Sequence, residues 1–242
     1  MKRIAITVAA FAALAGCGGS GSDGPLVVSA ASSLKGAFTA LGGARFSFAG
    51  SDQLAAQIRQ GVKPDAFASA NTKLPDALHD EGLVEKPVVF AGNRLVLAVP
   101  ADSKIATVGD LEQPGVKLAV GSAEVPAGSY TREVLARLGS AASRRILSNV
   151  RTAEPDVKGV VGKLTQGAVD AGFVYISDVR GTSGKLRAIE LPDDLQPSVA
   201  YGAAVVKGAK QPEQAKAFID GLVSGPGQEA LKEAGLEPPP SG

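Results

Sequence analysis

The strongest constraint on this chain is a rhythm in which short runs of β-branched and small apolar residues alternate with stretches whose apolar residues return every three to four positions. Segments 26–30, 45–49, 66–69, 94–99, 116–120, 171–175, 186–189 and 199–206 have the length and content of strands. Between them, Val157, Val160, Val161 and Leu164 fall at i, i+3, i+4 and i+7, as do Ala215, Phe218, Ile219 and Leu222, so each set occupies one helical face. This alternation predicts an α/β architecture of mostly parallel sheets covered on both faces. With no Trp and only three Tyr, the core must be built from Val, Leu, Ile and Ala.

Two long β runs, 94–99 and 199–206, bracket a middle section and are read as strands crossing between two lobes. Lobe 1 is then 25–96 together with 201–242, and lobe 2 is 97–200. The last two helical stretches, 211–218 and 226–234, are expected to return to the first lobe. In open sheets of this kind, ligands gather at the carboxyl ends of the strands.

The amino-terminal segment stands apart from this pattern. Lys2 and Arg3 precede an apolar run from Ile4 to Leu14 that ends in small residues, so 1–16 is read as a secretory signal. The run is too short for a permanent span, which needs about 20 apolar residues. Leu14-Ala15-Gly16-Cys17 resembles the lipobox of bacterial lipoproteins, in which the cysteine becomes the acylated first residue. Cys17 is the only cysteine, so the chain has neither an intrachain disulfide nor a cysteine-based metal site. Residues 17–24 then form the lipidated cysteine and a Gly/Ser tether, holding the body off the membrane. The expected location is exported, on the extracytoplasmic face of the cell membrane.

Setting aside Lys2 and Arg3 leaves 23 basic residues against 24 acidic ones. Without a basic field, nucleic-acid binding is disfavoured. Any selectivity for an anion must therefore be local.

Four strand-to-helix turns carry such a local signal: Ser32-Ser33, Ala49-Gly50-Ser51, Val125-Pro126-Ala127-Gly128 and Pro155-Asp156-Val157. A helix start presents free N–H groups and about half a positive charge, so several starts converging on one point would hold an oxyanion without Lys or Arg. Ser32 or Ser33 can cap a helix or donate to a ligand. Gly50 permits close backbone approach, and Ser51 opens the next helix. Pro126 at a helix start loses nothing by lacking an N–H, which leaves the amides of Ala127 and Gly128 free. Tyr175, at the end of its strand, can offer one phenolic donor, whereas Tyr130 and Tyr201 are assigned to packing. Asp52 would repel an anion, and its side chain is expected to face solvent.

Taken in order, Ala31-Ser32-Ser33-Leu34, Phe48-Ala49-Gly50-Ser51, Pro64-Asp65-Ala66-Phe67-Ala68-Ser69-Ala70, Val125-Pro126-Ala127-Gly128 and Val174-Tyr175-Ile176-Ser177-Asp178 resemble the motifs of the molybdate-binding receptors of bacterial ABC importers, which have the type II periplasmic binding protein fold. The resemblance covers 25–236. It implies a two-lobed monomer that holds molybdate or tungstate through the hydroxyls of Ser33 and Ser51, the amides of Ala127 and Val157, and the hydroxyl of Tyr175. It also implies an ABC importer permease as partner and no cofactor, with molybdenum arriving as the oxyanion and not through protein–metal bonds. Asp52 and the Pro155-Asp156-Val157 stretch depart from the family pattern.

A site made of donors alone suits a fully deprotonated oxyanion. Hydrogen phosphate would set its proton against a donor, and such an unsatisfied group costs about 1–3 kcal/mol. Sulfate is also fully ionised, so a sulfate receptor remains the alternative within this class. An enzyme reading rests on Ser32-Ser33-Leu34-Lys35, which fits S-x-x-K, a serine acyl-enzyme pattern pairing Ser32 with Lys35. Its companion K-T-G and S-D-N motifs do not occur. His79, the only histidine, sits in a polar helical stretch and is read as a solvated surface residue.

Overall fold

The computed structural model describes residues 24–240, so the predicted signal 1–16, Cys17 and the tether up to Asp23 lie outside the described residues. Strands β1 (Leu26–Ala31), β2 (Ala44–Ala49), β3 (Ala66–Ser69) and β4 (Val88–Asn93) open the chain, separated by α1 (Lys35–Leu41), α2 (Ser51–Arg59) and α3 (Lys73–Asp80). Next come β5 (Leu95–Pro100) and β6 (Leu118–Gly121), helices α4 (Pro126–Arg137) and α5 (Ser140–Ser148), and then β7 (Val150–Glu154), α6 (Val157–Thr165) and β8 (Ala171–Tyr175). The chain closes with α7 (Ile176–Arg180), β9 (Leu186–Glu190), β10 (Val199–Val205), α8 (Pro212–Val223) and α9 (Pro226–Glu233).

These strands make two five-stranded sheets, ordered β2-β1-β3-β10-β4 and β7-β6-β8-β5-β9, each flanked by helices. The sheets are mixed and not mostly parallel. In each, two pairings are parallel and two are antiparallel, the antiparallel ones made by β10 in the first sheet and β5 in the second. The reason is connectivity. β5 and β10 are the strands by which the chain enters each sheet from the other, and each runs against both of its neighbours there.

The sequence boundaries at 96/97 and 200/201 fall inside β5 and β10. The chain changes sheet at Arg94 and again between Glu190 and Val199. Neither 94–99 nor 199–206 is therefore itself a crossing strand, because each β run belongs to one sheet. Helix α8 packs on β3, β4 and β10, and α9 on α1 and α8, so both terminal helices cover the first sheet.

One apolar cluster runs through both sheets, with Val28, Phe38 and Phe90 on one side and Leu97, Leu118 and Phe173 on the other. Phe38 meets Phe218 edge-on at 5.4 Å, so the helical spacing around Phe218 places α8 against α1. A smaller cluster lies under α2 and α3, where Leu54, Ala55 and Ile58 pack on Phe67 and Leu78. Truncating Leu54, which is 1% exposed, to Ala would cost about 2–5 kcal/mol. This packing fixes the first turn of α2, and so the position of Ser51.

Candidate functional site

A small cavity of about 20 Å³ lies where strands of both sheets end. From the first sheet its wall takes Ala31, Ser32 and Ser33 after β1, Ala49, Gly50 and Ser51 between β2 and α2, and Ala70 after β3. From the second it takes Val125, Pro126 and Ala127 at the start of α4, Asp156 and Val157 at the start of α6, and Tyr175 at the end of β8. All five sequence-predicted residues, Ser33, Ser51, Ala127, Val157 and Tyr175, lie on this one wall.

Neither Ser32 nor Ser33 caps a helix, because the turn at Ser32–Leu34 is 3-10 and begins at Ala31 without a side-chain cap. Ser33 Oγ instead accepts from the Tyr201 hydroxyl at 3.0 Å. Ser51 Oγ accepts from the backbone N–H of Ala70 at 3.1 Å. Each serine thus has an oxygen lone pair engaged by protein and a proton left to give.

Pro126 occupies the first position of α4, with Ala127 next, and the first amides of a helix have no partner within it. Asp156 caps α6 by accepting from Gly159 N at 3.1 Å. Its carboxylate is therefore engaged, and the amide of Val157 is left for another acceptor.

Tyr175 is 1% exposed, and its hydroxyl has no hydrogen-bond partner among the described protein groups. Asp178 holds its backbone, accepting from Tyr175 N through Oδ2 at 3.3 Å, while Lys158 Nζ lies 2.7 Å from the other oxygen of that buried carboxylate. The Tyr175 ring meets Tyr201 edge-on at 5.8 Å and Tyr130 at 6.5 Å. Burial pushes the phenols of Tyr175 and Tyr201 well above their ordinary pKa, so both keep their protons.

Among the described residues, no Lys or Arg lines the cavity. Asp156 lines it, and at the neighbouring Asp52 the expectation of a solvent-facing side chain fails. Asp52 Oδ1 is buried without a hydrogen-bond partner, and burial, followed by weaker repulsion from Glu124 and Asp156, raises its pKa. The cause is that the facing half of the molecule covers the first turn of α2. A Cβ on Gly50 would stand 2.5 Å from Pro155 O and 3.4 Å from Val125 Cγ1, so the two halves touch at this glycine. Only a residue without a side chain permits that approach.

The wall therefore offers hydroxyl, phenol and amide donors around a space suited to a small anion. It holds no nucleophile paired with a base. Lys35 is exposed and absent from the wall, which leaves Ser32 without the partner that the S-x-x-K reading requires. His79 is exposed, with Nδ1 3.2 Å from Val84 O.

Sequence reasoning missed the groups behind the serines. Tyr201, assigned to packing, does pack but also bonds to Ser33 across 168 positions of sequence, and Asn93 donates to Tyr201 across 108. No local pattern encodes such pairings.

Two α/β halves sharing a donor-lined cavity at their strand ends define a solute-binding protein of the type II periplasmic class. The chain belongs to the bacterial extracellular solute-binding protein family, whose model matches residues 26–237. The molybdate-binding protein ModA of Mycobacterium tuberculosis (strain ATCC 25618 / H37Rv) is 34% identical over 227 residues, covering 88% of this chain and 85% of that protein. Among solved structures, the substrate-binding domain of a putative molybdenum ABC transporter from Clostridium difficile is 33% identical, with a TM-score of 0.67 over 88% of this chain and 98% of that one. The periplasmic molybdate-binding protein of Azotobacter vinelandii superposes with a TM-score of 0.79 over 89% and 100% of the two chains. At 22% identity it speaks for the fold alone.

Proposed function

We propose that this protein captures molybdate, and tungstate of the same charge and shape, in the cavity between its two halves and delivers it to the permease of an ABC importer. What supports the reading is that Ser33, Ser51, Ala127, Val157 and Tyr175, each able to offer a donor, line one cavity whose acidic lining residue, Asp156, is already hydrogen-bonded. A tetrahedral dianion presents only acceptors, so each donor finds a partner and none is stranded. The similarity to molybdate-binding relatives supports the choice of ligand.

In this reading the units built on the two sheets are lobes, and the chain works as a monomer. It is exported and tied to the cell membrane through acylated Cys17. It has no catalytic step and no resident cofactor, and molybdenum stays an oxyanion throughout.

Calorimetric titration of the soluble form beginning at Gly24 with molybdate, tungstate, sulfate and phosphate tests the proposal. Tight molybdate and tungstate binding with much weaker sulfate and phosphate supports it. Equal sulfate affinity would make the protein a general receptor for fully ionised oxyanions. Failure of all four anions to bind would overturn the assignment.

A further inference from the structure

Behind Ser33 lies a buried chain of hydrogen bonds whose direction is fixed by a group that cannot reverse. The backbone N–H of Arg94 donates to Asn93 Oδ1 at 2.9 Å, so the other end of that amide must be its NH₂. Asn93 Nδ2 donates to the Tyr201 hydroxyl at 3.2 Å and to Ser177 Oγ at 2.9 Å. With its oxygen already accepting, Tyr201 directs its own proton to Ser33 Oγ at 3.0 Å. Ser33 then has its proton left for the cavity. The two inner members are buried, Tyr201 at 0% exposure and Asn93 at 4%, and the direction of the sequence is held by the Arg94 N–H at its far end.

We infer that Asn93 and Tyr201 are positioning residues that make Ser33 an obligate donor, and that this relay sets the site's preference for unprotonated over protonated oxyanions. The inference rests on the oxyanion-receptor reading above. For Ser33 to accept a ligand's proton while its own remains satisfied, it would have to turn its hydrogen toward Tyr201. Tyr201 would then need an acceptor in place of the Asn93 NH₂, and there is none. Ser51 is held the same way by a backbone donor, Ala70 N, but there no side chain can be exchanged. The Ser33 relay is thus the place where polarity is open to substitution.

Asn93→Asp is nearly isosteric and reverses the relay. One carboxylate oxygen still accepts from Arg94 N–H, and the other accepts from Tyr201 and Ser177. These three donors hold the new group ionised. Tyr201 then accepts from Ser33, and Ser33 presents a lone pair to the cavity. At mildly alkaline pH hydrogen phosphate and molybdate are both dianions, so repulsion from the added charge lowers both affinities alike. The ratio between them isolates the effect of hydrogen-bond direction.

The test is calorimetric titration, or competition against molybdate, on four proteins: wild type, Asn93→Asp, Tyr201→Phe and the double variant. The probes are molybdate, sulfate and inorganic phosphate at mildly alkaline pH. In Asn93→Asp the phosphate-to-molybdate affinity ratio is expected to rise by about tenfold or more, while the sulfate-to-molybdate ratio stays put, since sulfate carries no proton. In the Tyr201→Phe background the same Asn93→Asp change is expected to leave the phosphate ratio unmoved, because the connection to Ser33 is gone. Each ratio is internal to one folded sample, so a loss of stability does not mimic the result. A wild type that binds molybdate, with Asn93→Asp lowering all three anions equally or phosphate still undetected, overturns the relay alone. A wild type that binds none of them overturns the receptor reading and this inference with it.

Discussion

The phenol of Tyr175 gives the sharpest single test, because ligand binding and the stability of the free protein should respond to its removal differently. Its hydroxyl is buried, protonated and without a protein partner, and its ring is held by Tyr130 and Tyr201 independently of the oxygen. Tyr175→Phe therefore deletes one donor and leaves the packing in place. A hydrogen bond to a charged acceptor is worth about 1.5–3 kcal/mol, so molybdate affinity should fall by about tenfold to a hundredfold. The same loss has a thermal signature. Ligand at about 1,000 times the dissociation constant stabilises a protein by about 4.1 kcal/mol, and a tenfold weaker site at that concentration by about 2.7 kcal/mol. Titration calorimetry and thermal melts with and without molybdate read both quantities. Unchanged affinity would remove Tyr175 from the site. A variant that melts several degrees lower without ligand would show that the hydroxyl has a structural partner in the open protein, and the reasoning from an unpartnered donor would fail.

Three further outcomes are expected. Gly50→Ala sets a methyl 2.5 Å from Pro155 O although the backbone there, φ −59 and ψ 138, suits alanine, so the fold should stand while closure is opposed. Overpacking of about 1–3 kcal/mol should lower molybdate affinity about tenfold, with solution scattering showing a more open form when ligand is present; wild-type affinity would mean the halves do not meet there. Asp52→Asn removes an adverse charge beside the cavity and should raise affinity about twofold to fivefold. Burial, with weaker repulsion from Glu124 and Asp156 of the facing half, raises the Asp52 pKa, so a form in which that half withdraws should bind the proton less tightly. Wild-type affinity should therefore decline as pH climbs from the ordinary carboxylate value through the raised one, and the difference between wild type and Asp52→Asn should grow over that interval and then level off. A constant difference would show that Asp52 does not titrate with closure. Cys17→Ser should release the protein from membranes in fractionated cells without changing oxyanion affinity; continued membrane attachment would count against the lipid anchor.

What could be read from the sequence, and what could not, divides along the range of the interactions. Ser33, Ser51, Ala127, Val157 and Tyr175 stood out because each sits where a strand ends or a helix begins, and such boundaries are written in a few adjacent residues. Strand β7 escaped because it lies at a sheet edge with alternate residues exposed, so Arg151 and Glu154 dilute its apolar pattern. Strand β4 escaped for a related reason, since it too is an edge and ends in Gly92-Asn93. The apolar run after Arg94 was visible, but its antiparallel sense was not, because direction depends on which sheet the preceding strand occupies. Asp52 departs from expectation because helix position predicts a solvated first turn, whereas Val125 and Pro155, which close on the adjoining Gly50, belong to the other half. Tyr201 was read by its apolar ring, and its hydroxyl found Ser33 only through the tertiary fold.

Closure and selectivity follow from the same set of donors. A ligand shifts a two-state equilibrium only by the contacts it makes in one state and not in the other. In the closed arrangement without an anion, the Tyr175 hydroxyl would be sealed away with no acceptor, at a cost of about 1–3 kcal/mol. In an open arrangement water could serve it. In the receptor reading a dianion would remove that penalty and engage donors from both halves at once, so the contacts made by the second half would be differential. Asp52 acts on the same equilibrium with the opposite sign. Its Oδ1 is buried without a partner among the described residues, so burying it would oppose closure. In the receptor reading such a brake would favour the open form of the empty protein and leave closure to the anion, so a permease that recognises the closed face would engage only loaded receptor. Relieving the brake by Asp52→Asn should therefore raise affinity and also the fraction of empty protein that is closed, and a variant with higher affinity but an unchanged ligand-free scattering profile would separate those two effects.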